Sequence, residues 1–253
     1  MKLTVMGHSG EYQPGVNAID AFKDLAPDAR KSAIAARHNG ALVELMAPLF
    51  EEGTLEPVGF EDEEARHLLR HTASHVLASA VKNLFPKAKL AIGPSIENGF
   101  YYDFDVEEPF QPEDLARIEK EMARIIKKNE REERFTLPRA EAIALMQQRD
   151  EPYKVELILD LPEDEELSFY RQGEFIDLCA GPHLPSTGKI KAFKLTSLAG
   201  AYWRGSEKNK MLQRVYGTAF TDKADLEAHL ARIEEAKKRD HRKLGRELDL
   251  FDL

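Results

Sequence analysis

EDEEARHLLRHTASHVLASAVKNLF, residues 61–85, decides how the larger part of the chain folds. Acidic residues crowd its first turn, where the helix dipole favours them, and Pro86 closes its end. Leu69, Ala73, Val76, Leu77, Ala80 and Leu84 share one face at helical spacing. The spacing predicts one long helix. His71 and His75 sit one turn apart and off that apolar stripe. They are therefore read as histidines in solvent or under a neighbouring sheet, not as core residues of this helix.

Upstream, residues 1–60 read as a small α+β module. LTV at 3–5 is a strand signal, and Gly7 to Gly15 is rich in turn residues. Asn17 caps a helix beginning AIDAFKDLA that Pro27 is expected to stop. Asn39-Gly40 turns a hairpin within SAIAARHNGALVEL, and TLEPVGF supplies a last strand. Strand, strand, helix, strands in that order suggests a β-grasp module. Its ionisable residues show no catalytic grouping, so docking or packing is its expected role.

Downstream, LAIGPSIENGFYYDFDV combines turn signals with an aromatic strand, and PEDLARIEKEMARIIKKNE is an amphipathic helix with Pro112 at its start. PRAEAIALMQQ is a shorter helix. KVELILDL, EFIDLC, KAFKLTSL and MLQRVYGTAF read as strands. A charged helix runs from Asp222 towards the chain end. The second module is thus α+β over residues 61–225, with 226–253 a trailing helix.

The chain has one cysteine in 253 residues, so no internal disulfide forms. No run approaches the ~18 apolar residues of a membrane span. The N-terminus lacks a secretory h-region, and the expected compartment is the cytoplasm. The net charge is −9, which by itself argues against a nucleic-acid binder, but the charge is uneven. Residues 150–177 hold ten acids against Lys154 and Arg171, whereas residues 188–214 hold seven bases against Glu207. The basic stretch also carries Phe193, Tyr202 and Trp203, which suits phosphates and unstacked bases; a solvated strand with core aromatics has the same composition.

Four residues stand out as a candidate site. The i, i+4 pair His71 and His75 is half of a zinc site, but HTASH lacks the glutamate of a metalloprotease helix. Cys179 and His183 supply another half from a loop, because Gly181-Pro182 between them excludes a continuous helix. Together they make a tetrahedral zinc set. They equally make a metal-free pocket that binds substrate and activates water, and spacing is compatible with both. Lys154, among acids, serves either as charge balance or as a polariser of a carbonyl or phosphate. Asp177 shares a strand face with Cys179, where a carboxylate holds an ammonium group or fixes the loop.

HTASH, IGPSIENGFYYDFD, YKVEL, DLCAGPH, LAGAYWRG and KMLQRVYGTAF, in this order, closely resemble the N-terminal and editing region of bacterial-type threonyl-tRNA synthetases. The resemblance covers nearly the whole chain. It implies a TGS-like β-grasp domain at residues 1–60, an editing domain with a helix-covered antiparallel sheet at 61–225, and a linker helix at 226–253. The aminoacylation domain, with its ATP and its zinc, would lie beyond Leu253. This chain is accordingly expected to deacylate and not to charge tRNA, with no cofactor of its own unless zinc binds at His71, His75, Cys179 and His183. The expected partner is the acceptor end of tRNA(Thr), with no membrane. The piece is expected to be a monomer and the full synthetase a homodimer.

The implied reaction is hydrolysis of Ser-tRNA(Thr) with Thr-tRNA(Thr) spared. A missing methyl group discriminates by only about 1–3 kcal/mol, so a second, smaller site is needed to remove serine. On this reading His71 and Lys154 position and polarise water, while His75 and His183 shape the site. Asp177 binds the seryl ammonium. Cys179 is assigned to size exclusion, because a thioester route needs a lowered thiol pKa. Gly93 and Gly99 let the backbone close over the adenosine, with Pro94, Tyr102 and Tyr202 among the substrate contacts and Tyr101 or Tyr102 against the base, although alternation sends one of these two tyrosines into the core. Lys189, Lys191, Lys194 and Arg204 would track acceptor-stem phosphates and make binding salt-sensitive. The alternative is a tRNA-binding or regulatory module with a structural zinc site and no hydrolysis.

Overall fold

A computed structural model describes residues 1–238. The part of the expected linker helix at 239–253 lies outside the described residues. The chain starts with a hairpin of β1 (Lys2–Val5) and β2 (His8–Glu11), the latter within the stretch read as turn. After β3 (Val16–Asn17), the Asn17 side chain accepts from the Asp20 N–H and caps α1 (Ala18–Leu25). Pro27 does not simply end this helix. It opens a second one, α2 (Pro27–Ser32), at a position where its missing N–H would be unpaired anyway. β4 (Ala35–His38) and β5 (Ala41–Val43) pair around Asn39 and Gly40, both at positive φ as the turn requires. β6 (Pro48–Leu49) and β7 (Gly53–Val58) follow. The sheet order is β2-β1-β7-β4-β5, with β1 and β7 parallel, and Phe22 of α1 packs with Leu3, Val5 and Leu55 in its core.

The long helix is α3 (Glu63–Leu84), capped by Asp62. It is not a surface helix with one apolar face. Every residue from Thr72 to Val81 is buried. The reason is that α3 is enclosed on several sides. On one lies an antiparallel sheet, β14-β15-β10-β8, built from β8 (Lys89–Leu90), β10 (Gly99–Asp105), β14 (Ala192–Tyr202) and β15 (Met211–Phe220), with β9 (Ser95–Ile96) paired to β10. The amphipathic α4 (Pro112–Lys128) packs beside α3, its Ile118, Met122 and Ile125 in the same core. On another side lies a second antiparallel sheet of β11 (Glu132–Leu137), β12 (Leu167–Gln172) and β13 (Phe175–Leu178). Gln172 of β12 donates to Ser79 of α3 at 3.4 Å. His75 is thus a histidine under a sheet.

Between β11 and β12 run α5 (Arg139–Gln148) and α6 (Pro152–Asp160). α6 corrects the strand reading of KVELILDL. Val155, Leu157, Leu159 and Leu161 alternate, which mimics a strand, but Pro152 starts a helix that buries Ile158 against Ala142, Met146 and Phe169. Leu159 is left 62% exposed. β11 and β12 are strands that the sequence reading did not identify. α7 (Lys223–Lys238) is the charged helix after β15. Among the described residues no helix is long and apolar enough to cross a membrane.

The N-terminal sheet, β2-β1-β7-β4-β5, also packs on the rest. Ile34, Ala35 and Val58 belong to the core around α3, and Arg37 of β4 pairs with Asp62 at 3.2 Å and with Glu64.

Candidate functional site

α3 and the loop after β13 bring the four sequence-predicted residues together. The His183 ring lies 4.3 Å, centroid to centroid, from the rings of both His71 and His75. Cys179 Sγ is 3.2 Å from His71 Nε2 and 3.4 Å from His183 Nε2. One donor atom from each residue lies within 4.8 Å of the others.

The loop is fixed by its own sequence. The Cys179 N–H donates to the Ser168 carbonyl at 3.1 Å, and the Ser168 hydroxyl donates to the Cys179 carbonyl at 2.6 Å. Gly181 has φ 72°, and a Cβ there would lie 1.9 Å from the Tyr170 hydroxyl, so glycine is needed on both counts. Its N–H points at Cys179 Sγ, 3.2 Å away. Thr72, between the two helix histidines, sets the third ring. Its hydroxyl donates to the Leu68 carbonyl at 2.9 Å, accepts from the Leu184 N–H at 2.9 Å and faces His183 Nδ1 at 3.2 Å. With the hydroxyl proton on Leu68, His183 carries its hydrogen on Nδ1 and turns a lone pair on Nε2 towards Cys179.

Lys154 and Asp177 lie behind the cluster. Lys154 Nζ is 2.6 Å from Asp177 Oδ1, and the Tyr102 hydroxyl donates to Oδ2 at 2.5 Å. The lysine contact is an ion pair without hydrogen-bond direction at Oδ1. His75 Nε2 stands 3.8 Å from Oδ2, beyond hydrogen-bond reach. Asp177 is 1% exposed and both its oxygens face partners. It is therefore placed to hold Lys154, and an incoming ammonium would have to displace that lysine.

Burial is the first cause of every shift here. It lowers the pKa of His71, opposed by the Pro182 carbonyl and by Asp177. It lowers that of His75 well below the usual value, helped by His71 and Lys154. His183 shifts the same way, helped by His75 and His71. The rings are neutral near neutral pH. Burial pushes the Cys179 thiol up to about 12, with Asp177 and Glu44 adding to it and the Gly181 N–H opposing. The thiol is protonated and can donate to one imidazole while accepting from another.

A cavity of about 280 Å³ opens on His71, lined also by Leu42, His67, Ser95, Gly181 and Pro182. A larger one, about 1020 Å³, lies between the N-terminal sheet and β11–β12 and meets the loop at Ala180 and Pro182. Lys154 lines neither cavity. Gly93 packs on the Tyr102 ring, where a Cβ would come within 2.0 Å, and its carbonyl accepts from the Ser74 hydroxyl at 2.7 Å. Tyr102 is buried, so it braces Asp177 and offers no face to a base. Tyr101 is the half-buried one of the pair, with the Arg214 guanidinium 3.8 Å from its ring centre. The Pro94 carbonyl accepts from the Tyr101 N–H, next to Ser95 at the smaller cavity. Tyr202 is 39% exposed and lines neither cavity.

The basic segment is largely matched by acids from other elements. Lys194 pairs with Glu119 at 2.8 Å, and Arg204 with Glu156 at 3.0 Å and with Asp160. Lys210 pairs with Asp105 at 2.6 Å and Arg214 with Asp103 at 2.7 Å. Lys191 donates to the Gly188 carbonyl, and Lys189 faces the larger cavity.

Sequence reasoning missed His67, one turn before His71 on the same helical row. It lines the smaller cavity, with Nδ1 3.4 Å from Ser95 Oγ. The spacing i, i+4, i+8 carried that signal. Glu44 and Tyr170 were missed too, and only the tertiary fold reveals them.

The model of the threonyl and alanyl tRNA synthetase second additional domain matches residues 167–216. That stretch contains Asp177, Cys179 and His183. A threonine–tRNA ligase from Acetivibrio thermocellus is 61% identical over 254 residues, covering 100% of this chain and 40% of that protein. One from Clostridium tetani is 62% identical over 243 residues, covering 96% and 38%. One from Clostridium botulinum is 58% identical over 254 residues, covering 100% and 40%. The chain spans about 40% of the length of the curated relatives it matches. Identity of this level is sustained from end to end of the chain, and a synthetase domain falls on its cysteine–histidine loop: its close homologues are threonine–tRNA ligases.

Proposed function

We propose that this chain is a proofreading module that hydrolyses the ester of Ser-tRNA(Thr) and spares Thr-tRNA(Thr). The observation that carries the reading is His71: a neutral imidazole at the mouth of a cavity of about 280 Å³, backed by Cys179, His183 and His75. A neutral imidazole accepts a proton from water attacking an ester carbonyl. His75 and His183 line neither cavity and pack behind the His71 ring, fixing its place at the pocket. Lys154 contributes positive charge for the developing oxyanion from behind, kept in place by Asp177. Cys179, its thiol protonated, lies behind His71 and sets pocket size through that ring; it is not a nucleophile.

In the same reading, residues 1–60 are a TGS-like β-grasp domain, 61–225 the editing domain and 226–253 a linker. Its partner is the acceptor end of tRNA(Thr). The cavity takes the seryl group, and the terminal adenosine lies outside it near Ser95 and Tyr101.

The donor set also supports a second reading, a tRNA-binding module with structural zinc. Zinc–ligand lengths imply donor separations of about 3.3–3.6 Å, close to the 3.2 and 3.4 Å from Cys179 Sγ to His71 and His183. His71, His75, Cys179 and His183 would hold the ion, and zinc when bound polarises carbonyls and acidifies water. Such binding requires a deprotonated Cys179. Incubating the chain with Ser-tRNA(Thr) and following the ester separates the two: loss of the ester supports proofreading, and a persistent ester leaves the binding module.

A further inference from the structure

We propose that Glu44, from the N-terminal sheet unit, is a positioning residue that sets the Cys179–His183 loop and thereby the site. The carboxylate is supplied 139 residues before His183. Its Oε1 accepts two hydrogen bonds, from the His183 backbone N–H at 2.7 Å and from the Tyr170 hydroxyl at 2.6 Å. Tyr170 is itself part of the loop's support. Its ring lies 4.3 Å from that of His183, and its hydroxyl fills the space where a Cβ of Gly181 would be. One oxygen of Glu44 thus fixes the backbone of His183, the face on which its ring rests and the turn at Gly181.

Attachment of the N-terminal sheet does not need this carboxylate. Ile34, Ala35 and Val58 share the core around α3, and Arg37 pairs with Asp62. Removing an acid of this kind leaves the buried N–H of His183 without its acceptor. Two residues earlier, Leu42 lines the cavity at His71 together with Gly181 and Pro182. Glu44 therefore holds the loop at His183, while Leu42 faces it across the cavity. The N-terminal unit, which shows no catalytic group of its own, acts on the site through Glu44 and lends Leu42 to the cavity wall.

The kinetic consequence rests on the hydrolytic reading, but the geometric one does not. Cys179 is the only thiol in the chain, so its alkylation by iodoacetamide reports the loop directly. Glu44→Ala is expected to speed alkylation several-fold. It is expected to lower kcat for Ser-tRNA(Thr) on the order of 10- to 100-fold, as small misplacements do, with KM little changed. Glu44→Gln keeps an acceptor oxygen and is expected to restore both readouts to near the wild-type values. Tyr170→Phe, which removes one donor and no apolar contact, is expected to fall between. If Glu44→Ala does not fold, Tyr170→Phe decides: faster alkylation supports the proposal and an unchanged rate overturns it. A folded Glu44→Ala with wild-type alkylation overturns it, and so does Glu44→Gln as impaired as alanine. If the wild type leaves Ser-tRNA(Thr) intact, proofreading fails, while the alkylation rates still decide the role of Glu44.

Discussion

Lys154 Nζ and Asp177 Oδ1 lie 2.6 Å apart, and the two side chains are only 4% and 1% exposed. α6 delivers one and β13 the other, next to three neutral imidazoles. A buried pair of this kind is costly to break, because the survivor is left charged and without a partner. Asp177→Asn should therefore destabilise the fold by about 3–5 kcal/mol, measured by urea unfolding. Adding Lys154→Met to Asp177→Asn should recover part of that loss. A single variant as stable as the wild type would mean that the pair is hydrated.

Cys179 separates two chemistries. Its thiol, pushed up to about 12, is protonated at neutral pH, so the proposed route does not run through a thioester. Cys179→Ala should slow the loss of the seryl ester without abolishing it and should increase hydrolysis of the threonyl ester by letting the His71 ring it backs recede from the cavity. His71→Ala should cost about 10²- to 10⁴-fold in rate, the range of a lost general base. Isolation of a seryl group bound to Cys179 would contradict this assignment.

Glu132 makes stability depend on pH. Part of its side chain reaches solvent, but both carboxylate oxygens are buried without a partner. Burial first, then Glu44 and Glu130, push its pKa from 4.5 up to about 8. In the unfolded chain the carboxyl loses its proton near 4.5, while the folded chain retains it to about 8. The folded state binds more protons in that window, so this group's contribution to stability falls as pH rises through it. Glu132→Gln removes the titration. Its Tm should exceed that of the wild type at the upper end of the window, and the difference should shrink towards the lower end. Parallel Tm profiles for the two proteins would contradict the prediction.

Much of this was legible before any fold was known. The helix to Leu84, with acids in its first turn and Pro86 after its end, and the Asn39-Gly40 hairpin follow from local rules that tertiary contacts do not override. Cys179 and His183 were readable as a loop pair because Gly181-Pro182 permits no helix. α6 was misread because its leucines alternate, and the deciding signal, Pro152 at the helix start, is weaker than that alternation. β11 and β12 escaped because EERFTL and LSFYRQ carry charge or polarity at half or more of their positions. The burial of His75, the pairing of Asp177 and the reach of Glu44 are products of packing. No local pattern shows that α3 is enclosed or that residue 44 meets residue 183.

The most direct measurement compares hydrolysis of Ser-tRNA(Thr) and Thr-tRNA(Thr) by this chain, each with and without a chelator. Rapid loss of the seryl ester alone, unaffected by chelator, is the predicted result. Loss that stops with chelator and returns with zinc would contradict the metal-free site and make His71, His75, Cys179 and His183 the ligands. Equal loss of both esters would contradict size exclusion at Cys179, and no loss of either would contradict proofreading by this chain.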